Sequence, residues 1–427
     1  MRTLGGTIIT AAVLAAGSAF GFTVDDKLPA GNVIVDGIDG DLVLLKKDLR
    51  DTEVDWIYWA FRVKGAAGRT LRFKFVNGAG VGSRGAAVST DGGRIWRWSD
   101  FEMDDPRDPE TGNHASWTEF TWKFAPDADE VWFCQTIPYT QNDWEAFVSR
   151  HAADYGKAFV TNTLCLSRKG RPVETGRFGR LDGKAKHRML LTSRHHCAET
   201  TATFVLEGIL ESVFADDYLG KWMRENIEIR VVPFTDKDGV VDGDQGKGRR
   251  PHDHARDYND GKPSIYPEVQ AIRDMMLAWE KEYGAPSVVM DVHCPCLRSS
   301  WLKEGHPNEY IYVVGIKAVE AAQVRFCETL ERVQQSGMWF KAADYYPEGR
   351  GWNTSKNYTQ GKTLPMWSID RWPDIQLSMA FESPFANQRR MTLMPPAFRL
   401  FGRDVALALR EFLKDRVSVS GAEGSCR

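Results

Sequence analysis

The sequence predicts an all-β sandwich followed by an α/β layer fold. Two observations carry this. The chain is 427 residues long, more than a single ordinary core accommodates. Near residue 150 its pattern also changes, from short β-branched and aromatic runs to strand-like runs alternating with amphipathic helical stretches.

In the first part, residues 22–150, runs such as Val33-Ile34-Val35, Trp56-Ile57-Tyr58-Trp59-Ala60-Phe61-Arg62-Val63 and Leu71-Arg72-Phe73-Lys74-Phe75-Val76 are rich in strand formers. The last alternates apolar and polar residues, as a half-buried strand requires. Asp91-Gly92-Gly93 reads as a turn between Ala87-Val88-Ser89 and Arg94-Ile95-Trp96, and residues 117–124 and 130–134 add two more strands. Roughly eight short strands without a long helical pattern point to a sandwich. Residues 151–416 form the second part. Arg188-Met189-Leu190-Leu191-Thr192, Ile227-Glu228-Ile229-Arg230-Val231-Val232 and Ser287-Val288-Val289-Met290-Asp291 are its strands, and 202–213, 267–283, 317–335 and 398–414 its best helices. Residues 417–427 lack periodicity and read as a tail.

Composition limits the functional classes. Hydrophobic residues make up 42% and charged residues 26%, which is ordinary for a globular chain. A net charge of -3 leaves no footprint for nucleic acid or an anionic membrane. Beyond the N-terminus no apolar run is long enough to span a bilayer. Residues 1–21 read as an export signal: Arg2, an apolar stretch at 8–16, then Ala19-Phe20-Gly21 as a cleavage site before the polar Thr23-Val24-Asp25-Asp26-Lys27. The expected location is therefore secreted or periplasmic. The seven cysteines are odd in number and scattered, so they form no disulfide framework and read as mostly small buried residues. Fifteen tryptophans admit a carbohydrate-binding reading, but core packing accounts for most of them. The oligomeric state leaves no mark in the sequence.

His196-Cys197-Ala198-Glu199 is the most informative short stretch. Imidazole and carboxylate suit Zn²⁺, and residues i and i+3 share a face of one turn. The stretch directly follows a strand, although a bland surface turn fits the same four residues. Neighbouring His195 reads as a structural histidine. His293 ends an apolar strand, the edge where open α/β sheets build their sites, and is read equally well as a third ligand or as a core residue. Glu382 ends the run Leu377-Ser378-Met379-Ala380-Phe381-Glu382, where an unpaired buried carboxylate is costly; beside a metal it reads as a general base.

Taken in order, these pieces resemble the zinc metallocarboxypeptidases: H-x-x-E, a D-G-V turn, D-x-x-R-D-Y, D-x-H, and a strand ending in Glu. The resemblance implies a mixed-sheet catalytic domain in which His196, Glu199 and His293 bind Zn²⁺ and Glu382 is the general base. It also implies that Arg256, in Asp253-His254-Ala255-Arg256, grips the terminal carboxylate of a peptide with a free C-terminus, with Asp253 behind a zinc histidine. A cation stabilising the oxyanion is expected from Arg249 or Arg250, with a solvated basic loop as the alternative. The front half is similar to the β-sandwich that precedes the enzyme domain in cytosolic carboxypeptidases. Two departures stand out: the Asn of the family's motif is Ala255, its bond missing or supplied by Asn259, and the usual N-P-D-G-V turn reads Asp236-Lys237-Asp238-Gly239-Val240. Tyr358 stands where the family often carries a substrate-closing Tyr, though packing explains it as readily, and Arg371 is a candidate selector for an acidic terminal residue. The alternatives are an amidohydrolase of the same superfamily and an inactive zinc-bearing protein that binds peptide or glycan.

Overall fold

The computed structural model describes residues 21–54, 56–82, 84–99, 118–295, 310–389 and 391–414. The expected export signal lies outside these residues except for Gly21, and the expected tail at 417–427 lies wholly outside them.

Among the described residues nine strands precede residue 141: β1 (Thr23–Asp25), β2 (Ile34–Asp39), β3 (Leu42–Lys46), β4 (Ala60–Lys64), β5 (Thr70–Phe75), β6 (Ala87–Ser89), β7 (Arg97–Trp98), β8 (Glu119–Lys123) and β9 (Glu130–Cys134). They form a five-stranded sheet, β1-β4-β9-β6-β7, and a four-stranded sheet, β2-β3-β5-β8. The alternation read in β5 is literal. Leu71, Phe73 and Phe75 are buried, while Thr70, Arg72 and Lys74 face out. The inward residues of both sheets share one core in which Trp59, Phe61, Phe73, Phe120 and Phe133 pack ring against ring. These aromatics are packing groups, as the composition implied.

Local chemistry shifts three boundaries from the sequence reading. The Asp91 turn runs on to Ile95, because its carboxylate accepts the Arg94 and Ile95 N–H groups, so the next strand starts at Arg97. Residues 56–59 precede β4 rather than belong to it; Tyr58 gives its backbone N–H and C=O to the Gln245 side chain instead of a neighbouring strand. Finally, α1 (Gln141–Arg150) closes the first part, its start fixed by a capping box between Thr140 and Asp143.

The rest is built on a seven-stranded mixed sheet. Its strands are β10 (Phe159–Leu166), β11 (Pro172–Gly179), β12 (His187–Ser193), β13 (Ile227–Val232), β14 (Val288–His293), β15 (Tyr312–Val314) and β16 (Leu377–Glu382), in the order β10-β11-β13-β12-β14-β16-β15. The four central strands are parallel and the three outer ones antiparallel. The core strand β14 is buried along its whole length, as expected of a strand covered on both faces. One cover includes α2 (Thr201–Glu211), α3 (Tyr218–Asn226), α6 (Glu320–Val333) and α8 (Pro395–Lys414); the other includes α5 (Pro267–Tyr283) and α7 (Leu364–Arg371). A short helix, α4 (Lys237–Asp242), sits over the strand ends. Helices α2 and α8 touch backbone to backbone. A Cβ on Gly208 would lie 2.1 Å from the Arg399 carbonyl oxygen, and one on Gly402 would lie 2.2 Å from that of Val205. Among the described residues no helix is long and apolar enough to cross a membrane.

Candidate active site

Strand register places the first half of the site. In the parallel pair β14–β16, His293 lies opposite Glu382 and Asp291 opposite Ala380. On the far side of β16, Tyr312 faces Glu382 and Val314 faces Ala380. Residues opposite one another share a face and a two-residue step preserves it, so these six side chains form two adjacent rungs. All six line one cavity, at the C-terminal edge of the parallel strands.

The second half comes from turns. After β12 the chain reverses at Arg194, a non-glycine residue in the left-handed region with φ 63°. Its buried guanidinium donates to the Cys197 carbonyl (2.6 Å) and the Tyr139 carbonyl (3.0 Å), pinning the turn that carries His196 and Glu199. The two oxygens of Glu199 each lie 2.8 Å from a histidine Nδ1, those of His196 and His293. Behind the rings, Asp253 Oδ1 is 3.2 Å from His196 Nε2 and Asp291 Oδ2 is 2.7 Å from His293 Nε2. A carboxylate behind each imidazole fixes its tautomer and turns the opposite nitrogen toward a common point. Burial would raise the Glu199 carboxyl, but the two histidines outweigh it and hold it at about 2. The same histidine effect, from His195 and His293, keeps buried Asp291 well below the usual carboxylate range.

Three groups among the described residues bring three possible ligand atoms within 4.8 Å of one another. In one, His195 is buried between Asp291 and the Tyr258 hydroxyl and does not line the cavity. In another, Asp236 is engaged by Arg249 and by the Gly239 N–H. The third is His196, Glu199 and His293, which face one another and open on the cavity. Two imidazoles and a carboxylate with an open side are a donor set that fits a catalytic zinc.

Glu382 reaches the same space. Its Oε2 is buried without a partner among the described residues, and burial foremost, with the Glu199 charge adding, lifts its carboxyl to about 8 against the pull of His293 and Lys247. Such an orphaned oxygen is expensive unless something in the cavity uses it.

Arg256 lies across the cavity. Its Nε donates to the Asn357 carbonyl and its Nη1 to the Ala255 carbonyl, and the guanidinium rests 5.0 Å from the Tyr358 ring centre. The Tyr358 hydroxyl donates to Asn353 at 2.5 Å, so this ring lines the cavity as a fixed support. Asn259 does not line the cavity; its side-chain amide holds the Arg256 carbonyl and the Lys362 N–H. Asn357, unmarked in the sequence except by its place beside Tyr358, lines it instead.

The structure does not bring the expected oxyanion cations to the cavity. Buried Arg249 is spent on Asp51, Asp236 and Asp244, and Arg250 is exposed and paired with Glu53. The basic residue of this loop that lines the cavity is Lys247, 3.7 Å from Asp253; burial and the nearby Arg256 charge push its ammonium down. Arg371 lies outside as well, bound to Glu280 on the surface. In sequence Lys247 is one of three basic residues within four, and only the path of the loop separates them. Gly246 sets that path: it has φ +80°, and a Cβ there would meet the Cys197 backbone nitrogen at 2.4 Å. The loop is also tied to the N-terminal part. Asn32 donates to the Gly243 carbonyl, the Glu53 N–H to the Gly248 carbonyl and the Arg250 N–H to the Asp51 carbonyl. The same strap places Trp56, whose buried indole nitrogen has no partner among the described residues, in the cavity wall. The five described cysteines are unpaired; Cys197 donates to the Asp244 carbonyl, and Cys296 and Cys426 lie outside the described residues.

No family model matches the chain. Cytosolic carboxypeptidase 3 of Mus musculus is 26% identical over 176 residues, which are 39% of this chain and 17% of that protein. The chain thus spans a minor part of the cytosolic carboxypeptidases it matches. An uncharacterized protein of Zymomonas mobilis is 21% identical over 94% of this chain and 98% of its own length. Among solved structures, a metallo-carboxypeptidase from Burkholderia cenocepacia superposes with a TM-score of 0.71 at 17% identity, covering 92% of this chain and 99% of the other.

Proposed function

We propose that this chain, which shares the fold of a metallo-carboxypeptidase and part of its sequence with cytosolic carboxypeptidases, is a zinc-dependent exopeptidase that releases residues from the C-terminal end of peptides. The observation that carries this is the convergence of His196, Glu199 and His293 beside the unpartnered Glu382 oxygen, with Arg256 across the same cavity.

His196, Glu199 and His293 hold the metal, which when bound supplies a Lewis acid for the scissile carbonyl and its attacking water. Glu382 takes the water's proton on its free oxygen and delivers it to the leaving amine. Lys247 compensates the charge that develops on the carbonyl oxygen, the role expected of an arginine in the sequence. Arg256 receives the terminal carboxylate, its fork oriented by the Asn357 and Ala255 carbonyls. The Asn absent at position 255 leaves this clamp to Arg256 and the adjoining Asn357.

The proposal includes a two-part organisation, a β-sandwich over 22–150 and a catalytic part over 151–416, and export directed by residues 1–21 to a secreted or periplasmic location. Its support is the sequence pattern described above.

Metal analysis combined with a C-terminal release assay tests the reading. One zinc per chain, single residues released in order and loss of release with a chelator are expected. Deacylation of N-acyl amino acids without peptide cleavage would transfer the chain to the amidohydrolases. Zinc binding with neither activity would make it a binding protein.

A further inference from the structure

Resting on the carboxypeptidase reading, we infer that the residue released has an apolar side chain, received by a floor built from Ala380, Val314, Ile316, Pro365 and Met366. The register defines where this floor lies. One rung of the sheet presents His293, Glu382 and Tyr312, the reacting end of the cavity. The next presents Ala380 and Val314, and Ile316 continues beyond the end of β15. Residues 365 and 366, in the first turn of α7, close the space from the other side.

A substrate held by its carboxylate at Arg256 and by its scissile carbonyl at the histidines leaves one place for its last side chain, the space above these rungs. Ala380 contributes depth because its side chain stops at Cβ; it is partly exposed between buried neighbours on β16. None of the described floor residues is charged. The first turn of α7 is also poorly equipped for an anion. Pro365 has no N–H, and the Thr363 hydroxyl already accepts the Met366 N–H. The two cations of the cavity are committed elsewhere: Arg256 to the terminal carboxylate, Lys247 beside Asp253. A glutamate or lysine side chain would enter this floor without a counter-charge, which desolvation penalises, whereas leucine or phenylalanine gains from burial. Arg371, whose position in sequence pointed to acidic residues, is held by Glu280 on the surface and does not reach the floor.

The test uses the full zinc-loaded chain and N-acylated dipeptides that differ only in their last residue: Phe, Leu, Glu or Lys. Phe or Leu is expected to exceed Glu and Lys by about tenfold or more in kcat/KM. In parallel, quenching of tryptophan fluorescence in the metal-free chain compares N-acetyl-L-phenylalanine with N-acetyl-L-glutamate, with tighter binding of the former expected. Met366→Arg should narrow or reverse the preference by raising Glu. Turnover that favours Glu or Lys overturns the inference and leaves the carboxypeptidase reading standing. Preferential binding of the phenylalanine derivative without turnover of any dipeptide supports the apolar floor and overturns the carboxypeptidase reading. Neither turnover nor preferential binding overturns both.

Discussion

The two halves of the cavity are built differently. His293, Glu382 and the Asp291 that orients His293 stand on neighbouring strands deep in a parallel sheet, where ladder hydrogen bonds set their spacing. Lys247, Trp56 and Arg256 stand on loops whose paths are set by side-chain ties: Arg249 to three carboxylates, Gln245 to Tyr58, Asn259 to Lys362. The proposed base, Glu382, and one proposed metal ligand, His293, sit where the backbone itself fixes distance, whereas His196 and Glu199 ride on a turn held by the Arg194 side chain. Lys247, Trp56 and Arg256, the residues proposed to meet substrate and developing charge, sit where distance depends on a network that can be altered piece by piece.

Removal of a sheet-borne ligand gives the largest expected effect. His293→Ala should lose stoichiometric zinc on dialysis, and all turnover with it, as read by metal analysis beside the release assay. Glu382→Gln separates chemistry from binding: zinc content unchanged, kcat lower by about 10²–10⁴. Retained turnover in this variant would remove Glu382 from the mechanism. On the loop side, Lys247→Met should lower kcat by about 10²–10³ with a smaller change in KM, since the charge is wanted mainly in the transition state. Arg256→Lys keeps the charge but loses the fork, and KM should rise about tenfold with kcat less affected. The smallest effect is expected from Asp51→Asn, which loosens the strap but leaves Arg249 its bonds to Asp236 and Asp244; a few-fold loss in kcat with full zinc content is the anticipated result. Zinc loss in either loop variant at Lys247 or Asp51 would erase the contrast between the halves.

The same contrast governs what could be read in the sequence. Periodicity identified β5, α5 and β14, and with β14 came the strand-end position of His293, because burial on a sheet writes itself into local pattern. Short spacing identified His196 and Glu199. Which basic residue of the loop reaches the cavity is not legible: Arg249 and Lys247 are alike in sequence, and the carboxylates that capture Arg249 lie at 51, 236 and 244. Trp56 read as a strand residue for a related reason. Its segment is extended and aromatic but pairs with the side chain of Gln245, a partner distant in the chain. Asn259 looked available for substrate because its ties to the Arg256 carbonyl and to Lys362 are tertiary.

The rung arrangement has one further consequence. Strand register changes only in whole residues, and a one-residue slip of β16 against β14 would turn Glu382 away from the face that carries His293, so the spacing between these two side chains is quantised rather than tunable. Ala380 lies one rung away on β16, with Val314 beside it on β15. Side chains there can be exchanged without altering the rung that carries His293 and Glu382. On the proposed reading, selectivity and reactivity thus occupy separate addresses on one scaffold, and the first can drift while the second stays fixed.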